Sequence, residues 1–174
     1  SRKIDLNSAI KYRYTNEVRC PDRSAAKKMK EAILAAKKKG DSVGGIIECI
    51  TSPLPVGLGE PLFSSLESDL SRALFGIPSV KAVEFGSGFH GCSVHGSENN
   101  DPYLLEKGTV ITRSNNSGGI LGGLSTGMPL AVRIGFKPPS SIAQIQETLD
   151  LSDGSQAKLK VPGRHDPCVV PRAP

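Results

Sequence analysis

Three stretches of this chain carry residue types that could do chemistry. Gly163-Arg164-His165-Asp166-Pro167-Cys168 sets a cation, an imidazole and a carboxylate in succession between a glycine and a proline. Such a run is costly to place in a loop for solubility alone, and it reads either as a binding or catalytic cluster or as a buried structural ion pair. Lys137-Pro138-Pro139-Ser140-Ser141 follows a strand-like Leu130-Ala131-Val132-Arg133-Ile134-Gly135-Phe136 and joins one cation, two rigid prolines and two hydroxyls, the makings of a phosphate cradle. Residues 115–127 hold five of the 19 glycines, in Asn115-Asn116-Ser117-Gly118-Gly119-Ile120-Leu121-Gly122-Gly123 and onward. A backbone so short of Cβ atoms lets something lie close against it, either a neighbouring element or a ligand. It is neither a P-loop nor a dinucleotide fingerprint, because no Gly-Lys-Ser/Thr closes it and the Gly-x-Gly-x-x-Gly spacing is absent.

Arg113, Arg133, Lys137 and Arg164 flank these stretches and are expected to serve a small polyanion. His90-Gly91-Cys92-Ser93-Val94-His95 would lie on a strand, with positions 90 and 92 facing one way and 95 the other, so metal ligation is not expected there. The turn at 96–103 is rich in residues that bond their own backbone, although its acids could face a site. Cys20, Cys49, Cys92 and Cys168 form no C-x-x-C pair and are expected to be reduced, mostly buried thiols.

The elements that must position these residues follow from pattern. Ile10, Tyr12 and Tyr14 alternate as in a short edge strand. A helix opens on Asp22 as N-cap, presents Met29, Ala32, Ile33 and Ala36, and ends at Gly40. Residues 44–51 read as a strand buried on at least one face, 52–61 as a loop, and 62–75 as a helix with Phe63, Leu66, Leu70, Leu74 and Phe75 as its apolar stripe. Residues 80–85 alternate as a half-buried strand, and a second short strand near 89–94 could pair with it. A hairpin is expected around Asp153-Gly154. With 174 residues, 37% hydrophobic and 22% charged, the chain suits one ordinary globular core domain of α+β class. The net charge of +5 sits largely on the lysine face of the first long helix, and with no Trp and 5% aromatics nucleic acid is not an expected partner. No apolar run is long enough to span a membrane, and Ser1-Arg2-Lys3-Ile4-Asp5 lacks the apolar core of a signal peptide.

Taken in order, Val18-Arg19-Cys20-Pro21-Asp22, Gly40-Asp41-Ser42-Val43-Gly44-Gly45, Gly96-Ser97-Glu98 with Asn100-Asp101, the Asn115–Gly123 run, Lys137-Pro138 with Ser140-Ser141, and the Gly163–Cys168 run together resemble the chorismate synthase family. The resemblance implies a layered β-α-β-α sandwich with antiparallel sheets, and a shikimate-pathway lyase that converts 5-enolpyruvylshikimate 3-phosphate to chorismate and phosphate by anti-1,4-elimination. It implies reduced FMN as cofactor without net redox change, with NADPH needed only where a reductase activity supplies the reduced flavin. It also implies a homotetramer and a cytoplasmic location, or a plastid one if a transit peptide precedes the chain.

Position by position, the resemblance places FMN contacts at Pro78, Ser79, Gly122, Lys137, Pro138, Pro139, Ser140, Ser141 and Arg164. It places Asp166 near flavin N5 in the proton transfer, with His165 beside it, and either Asn115 or Asn116 against flavin or substrate. Pro139 stands where the family usually has Thr, Asn99 where His is common, and His95 where a basic residue is usual. The family's N-terminal motifs and substrate arginines find no counterpart, so the chain is expected to be a central and C-terminal core of a longer protein, inactive alone. The other expectation is a non-catalytic assembly fragment that keeps the fold and part of the flavin site.

Overall fold

The computed structural model describes residues 6–173. The signal-peptide reading of residues 1–5 falls outside the described residues. The chain divides into two compact units, one of residues 1–45 and 136–174 and one of residues 46–135.

In the first unit, α1 spans Leu6–Tyr12, where alternation of Ile10, Tyr12 and Tyr14 suggested an edge strand. Three residues at period two are too few to override helix, and Tyr14 lies beyond the element. Helix α2 spans Arg23–Lys38. The Asp22 side chain accepts the N–H groups of Ser24 and Ala25, as the N-cap reading requires, and Gly40 leaves the helix at φ +66°. Of the expected stripe only Ala36 is buried; Ile33 is half-buried, Met29 and Ala32 are exposed, and the other buried position is Ala26. The C-terminal part adds the hairpin β8 (Gln146–Leu149) and β9 (Gln156–Leu159), antiparallel with Gln146 opposite Leu159, which matches the turn expected at Asp153-Gly154. A 3-10 turn covers Val170–Arg172.

The second unit is built on a three-stranded sheet of order β1-β7-β2, with β1 at Gly45–Pro53, β2 at Val80–Phe85 and β7 at Pro129–Phe136. Strand β7 is central and alternates strictly, with Leu130, Val132, Ile134 and Phe136 buried. Gly86 donates to the Ala131 carbonyl while a Cβ on Gly135 would stand 3.1 Å from that of Ala82, so β2 and β7 run antiparallel. Strand β1 exposes Ile46, Glu48 and Ile50 on one face, and on the other Gly45, Ile47 and Thr51 are only half-buried, so no face is buried as fully as expected. Helix α3 starts at Leu66, later than the pattern suggested, and ends at Phe75 as expected. Ser65 caps it by accepting the Ser68 N–H, and Phe63, placed on the stripe, instead lies in a 3-10 turn (Leu62–Ser64) at 95% exposure.

Residues Gly88–Ser93 form a 3-10 helix rather than a strand, so β2 pairs with β7 and not with a neighbour in sequence. Gly86 and Gly88 sit at φ +55° and +51°, conformations that end the strand and start the tight turn. A short α4 (Gly96–Asn99) and the hairpin β3 (Tyr103–Glu106) and β4 (Thr109–Thr112) follow, then the two-residue strands β5 (Ile120–Leu121) and β6 (Leu124–Ser125). Helices with antiparallel sheets make this a mixed α and β chain, as the α+β reading expected.

Candidate functional site

In the second unit the glycine-rich stretch is a tight hairpin that grips its own chain. Gly118 and Gly119 are buried at φ +68° and +86°, and a Cβ on Gly119 would stand 2.5 Å from the Pro129 carbonyl oxygen, which only glycine permits. The close approach inferred from sequence is therefore, at these two positions, to β7 and to Gly86. Gly122 differs: with Gly123 it makes the β5–β6 turn, at φ +61° and +87°, and a Cβ there would meet nothing within 4 Å.

Just before this hairpin, residues 114–117 are held by one carboxylate. Asp101 Oδ1 accepts the Ser114 hydroxyl at 2.6 Å and the Asn116 N–H at 2.8 Å, and Oδ2 accepts the Ser117 N–H at 2.8 Å. Burial opposes ionisation of Asp101, but the Ser114 hydroxyl and the Ser117 and Asn116 N–H groups outweigh it and hold the carboxyl below its ordinary value. The Asn116 side-chain Nδ2 donates to the Asn99 backbone carbonyl at 3.1 Å, and the Asn116 backbone carbonyl accepts the Ser87 N–H at 2.7 Å. The Asn115 amide donates to the Pro129 carbonyl at 2.8 Å, while its Oδ1 is buried without a partner. Of the two asparagines that sequence left undistinguished, Asn115 has the acceptor to spare.

Pro78 and Ser79 lie in the turn between α3 and β2, Pro78 exposed and Ser79 half-buried at φ +73°. Among the described residues no hydrogen bond links them to Asn115, Asn116 or Gly122. Arg113 is exposed, whereas Arg133 is held by Glu84 at 2.9 Å and so does not stand free for a polyanion. Ser125, 2% exposed, was not singled out from sequence. It accepts the Leu58 N–H at 2.8 Å and donates to the Pro55 carbonyl at 2.5 Å, fastening the proline-rich loop to β6.

In the first unit the two remaining stretches hang on residues 40–44. The Ser42 hydroxyl donates to the Pro139 carbonyl at 2.6 Å, and the Val43 N–H donates to the Pro167 carbonyl at 2.8 Å. A Cβ on Gly44 would collide with the Phe136 carbonyl and stand 3.1 Å from Pro138 Cδ. Lys137 reaches only the adjacent Pro138 carbonyl, at 3.5 Å, and Ser140, Ser141 and Arg164 are exposed. His165 Nε2 lies 2.9 Å from the Val161 carbonyl. Asp166 is ion-paired with Arg172, not with Arg164 or His165, and the pair is exposed, so the buried ion pair considered for this run is not formed. Arg172 was not anticipated, because it lies six positions on, past a proline and in a 3-10 turn that the pattern did not reveal.

Cys20 and Cys168 are buried, but Cys49 and Cys92 are exposed, against the expectation of mostly buried thiols. The 3-10 geometry at Gly88–Ser93 removes the strand-parity reasoning applied to His90, Cys92 and His95; among the described residues no group of three or more His, Cys, Asp or Glu could hold a metal ion. Among them, too, no helix is long and apolar enough to cross a membrane.

The family model for chorismate synthase matches residues 3–174. The chain is 49% identical over 168 residues to a chorismate synthase of Korarchaeum cryptofilum, covering 97% of this chain and 46% of that protein. It is 51% identical to one of Dehalococcoides mccartyi (91% and 43% covered) and 51% to one of Pyrococcus abyssi (88% and 43%). A crystal structure of chorismate synthase superposes with a TM-score of 0.73 at 32% identity, covering 78% of this chain and 41% of that one. The chain thus spans less than half the length of the curated relatives it matches.

Proposed function

The chain belongs to the chorismate synthase family, and we propose that it contributes the flavin-holding residues of that family's reaction, the elimination of phosphate from 5-enolpyruvylshikimate 3-phosphate to give chorismate. The observation that carries this reading is the buried, unpaired Asn115 Oδ1. A buried acceptor without a donor costs about 1–3 kcal/mol, a cost that a ligand N–H or O–H would remove. The residues present suit FMN in their chemistry. Within the second unit, Asn115 offers an acceptor to a ring N–H and the Gly122 turn leaves space for a flat group; within the first, Lys137, Ser140, Ser141 and Arg164 offer a cation, two hydroxyls and a guanidinium to a phosphate.

Bound reduced flavin would supply electron density that assists departure of phosphate without net redox change. The chain's own residues would bind and orient. Lys137 and Arg164 would balance charge on a phosphate, and Asn115 would fix a donor group at its Oδ1. Pro78 and Ser79 would contact the flavin from the turn before β2, and Pro138 and Pro139 would hold the Lys137 backbone in one course. Asp166 would hold or accept a proton at its carboxylate, with His165 beside it in sequence. The substrate, homotetrameric assembly, a cytoplasmic setting and a need for NADPH only through a flavin reductase belong to the same proposal, supported by the family match and by the prokaryotic relatives.

Titration of the chain with FMN, followed by flavin absorbance and fluorescence, tests the reading. Saturable perturbation of the flavin spectrum is expected. An unperturbed spectrum from a folded chain would favour a non-catalytic assembly fragment.

A further inference from the structure

The donors that engage Asp101 flank Asn115 on both sides, at Ser114 before it and at Asn116 and Ser117 after it. Asn115 is fixed between them: its backbone carbonyl accepts the Gly118 N–H at 3.1 Å and its side-chain Nδ2 donates to the Pro129 carbonyl at 2.8 Å. An amide with a buried, unpaired oxygen would turn toward any donor within reach unless its surroundings allowed it one position. A carboxylate suits the task of fixing it, since it takes several donors and offers none, and its charge strengthens each bond. An asparagine at 101 would turn an NH2 group against one of the same donors.

We infer that Asp101 is a positioning residue, which clamps residues 114–117 so that the Asn115 carboxamide keeps one orientation, with its oxygen buried and without a partner until a ligand N–H or O–H reaches it. This rests on the flavin reading for the nature of the ligand, but not for the clamp itself. Burial opposes the charge on Asp101, and the Ser114, Ser117 and Asn116 donors more than restore it, so the clamp keeps its ionised form at neutral pH. The Asn116 contacts with Asn99 and Ser87 hold the far side of the loop and leave Asn115 untouched.

The test compares the chain with Asp101→Asn, Asn115→Ala, the double variant and Ser114→Ala. NMR follows the Asn115 side-chain amide signals and backbone amide exchange, and an FMN titration follows binding. In Asp101→Asn, exchange at Asn116 and Ser117 should rise roughly tenfold or more, with the two Asn115 side-chain protons drawing together and exchange along β7 unchanged. FMN affinity should fall as far as in Asn115→Ala, and the double variant should be no weaker than Asn115→Ala alone. Ser114→Ala, which removes one bond, should shift the Asn115 signals in the same direction by less. It serves as the test if Asp101→Asn does not fold.

Unchanged Asn115 signals in either variant, or affinity losses that multiply in the double variant, would overturn the positioning role. If the unaltered chain leaves FMN unperturbed, the flavin reading fails, and the Asn115 signals still decide whether Asp101 clamps the loop.

Discussion

The Ser42 hydroxyl donates to the Pro139 carbonyl at 2.6 Å, across 97 positions of chain. The next residue, Val43, binds the Pro167 carbonyl, so one short link anchors both the Lys137-Pro138-Pro139 and the Arg164-His165-Asp166 stretches. Ser42→Ala should lower the unfolding free energy by about 1 kcal/mol, the usual worth of one such bond, and weaken FMN binding severalfold by freeing residues 137–141. Ser42→Thr should retain both. Denaturant melts and flavin titration read the two effects, and wild-type affinity in Ser42→Ala would show that the link does not shape the loop.

Gly119 and Gly122, three positions apart, should differ sharply in what a side chain costs. Gly119→Ala puts a Cβ 2.5 Å from the Pro129 oxygen at φ +86° and should destabilise by several kcal/mol, through collision and a strained backbone that alone costs on the order of 1–3 kcal/mol. Gly122→Ala meets nothing within 4 Å and should cost only the left-handed conformation, about 1–2 kcal/mol. It should fold yet bind FMN more weakly. Equal melting temperatures for the two variants would contradict the packing described.

Acid should loosen the Asp101 clamp. The folded-state pKa lies below the ordinary 3.8, because the Ser114, Ser117 and Asn116 donors outweigh burial, which acts the other way. A depressed carboxyl contributes stability that is fully present above its unfolded value and lost as pH falls through the folded value. Denaturant midpoints should therefore be insensitive to Asp101 from pH 7 to about 5 and decline below about 4. Asp150 and Asp153 are also held low, by donors from Ser152 and Ser155 respectively, and they add to the same decline. The difference between the unaltered chain and Asp101→Asn isolates the Asp101 share; an identical pH profile for the two would remove it.

The Asp166–Arg172 pair is exposed on both sides, so Arg172→Ala should change the unfolding free energy by less than about 1 kcal/mol. Asp166→Ala should likewise fold and keep much of its FMN binding. Introduced at this position in a complete enzyme, it should cut turnover; unchanged turnover would take Asp166 out of the proton transfer.

What sequence revealed was local. Asp22 and Gly40 bound α2 because caps act within a turn, and residues 130–136 were legible as strand-like, though their strict burial alternation in β7 was not. The placement of β7 between β1 and β2 depends on contacts tens of residues apart, and sequential pairing of residues 80–95 was the wrong guess for that reason. The glycine run was legible as a close approach, but not that Gly118 and Gly119 meet their own chain while Gly122 faces open space. Asp101 hid in a polar turn whose composition fits self-bonding equally well, and only the fold shows its oxygens turned to residues 114–117. Ser42 stood in one of the stretches that carry the family resemblance, but neither it nor Ser125 announced its distant partner, since hydroxyls that bond distant carbonyls look like any other serine.

Comparing FMN with riboflavin, which has the ring but no phosphate, tests the central claim most directly. If Lys137, Ser140, Ser141 and Arg164 hold the phosphate, FMN should bind this chain at least about tenfold more tightly than riboflavin, a difference of ~1.4 kcal/mol, and Lys137→Ala should narrow the gap. Equal affinity for the two, or no binding of either by the folded chain, would contradict it.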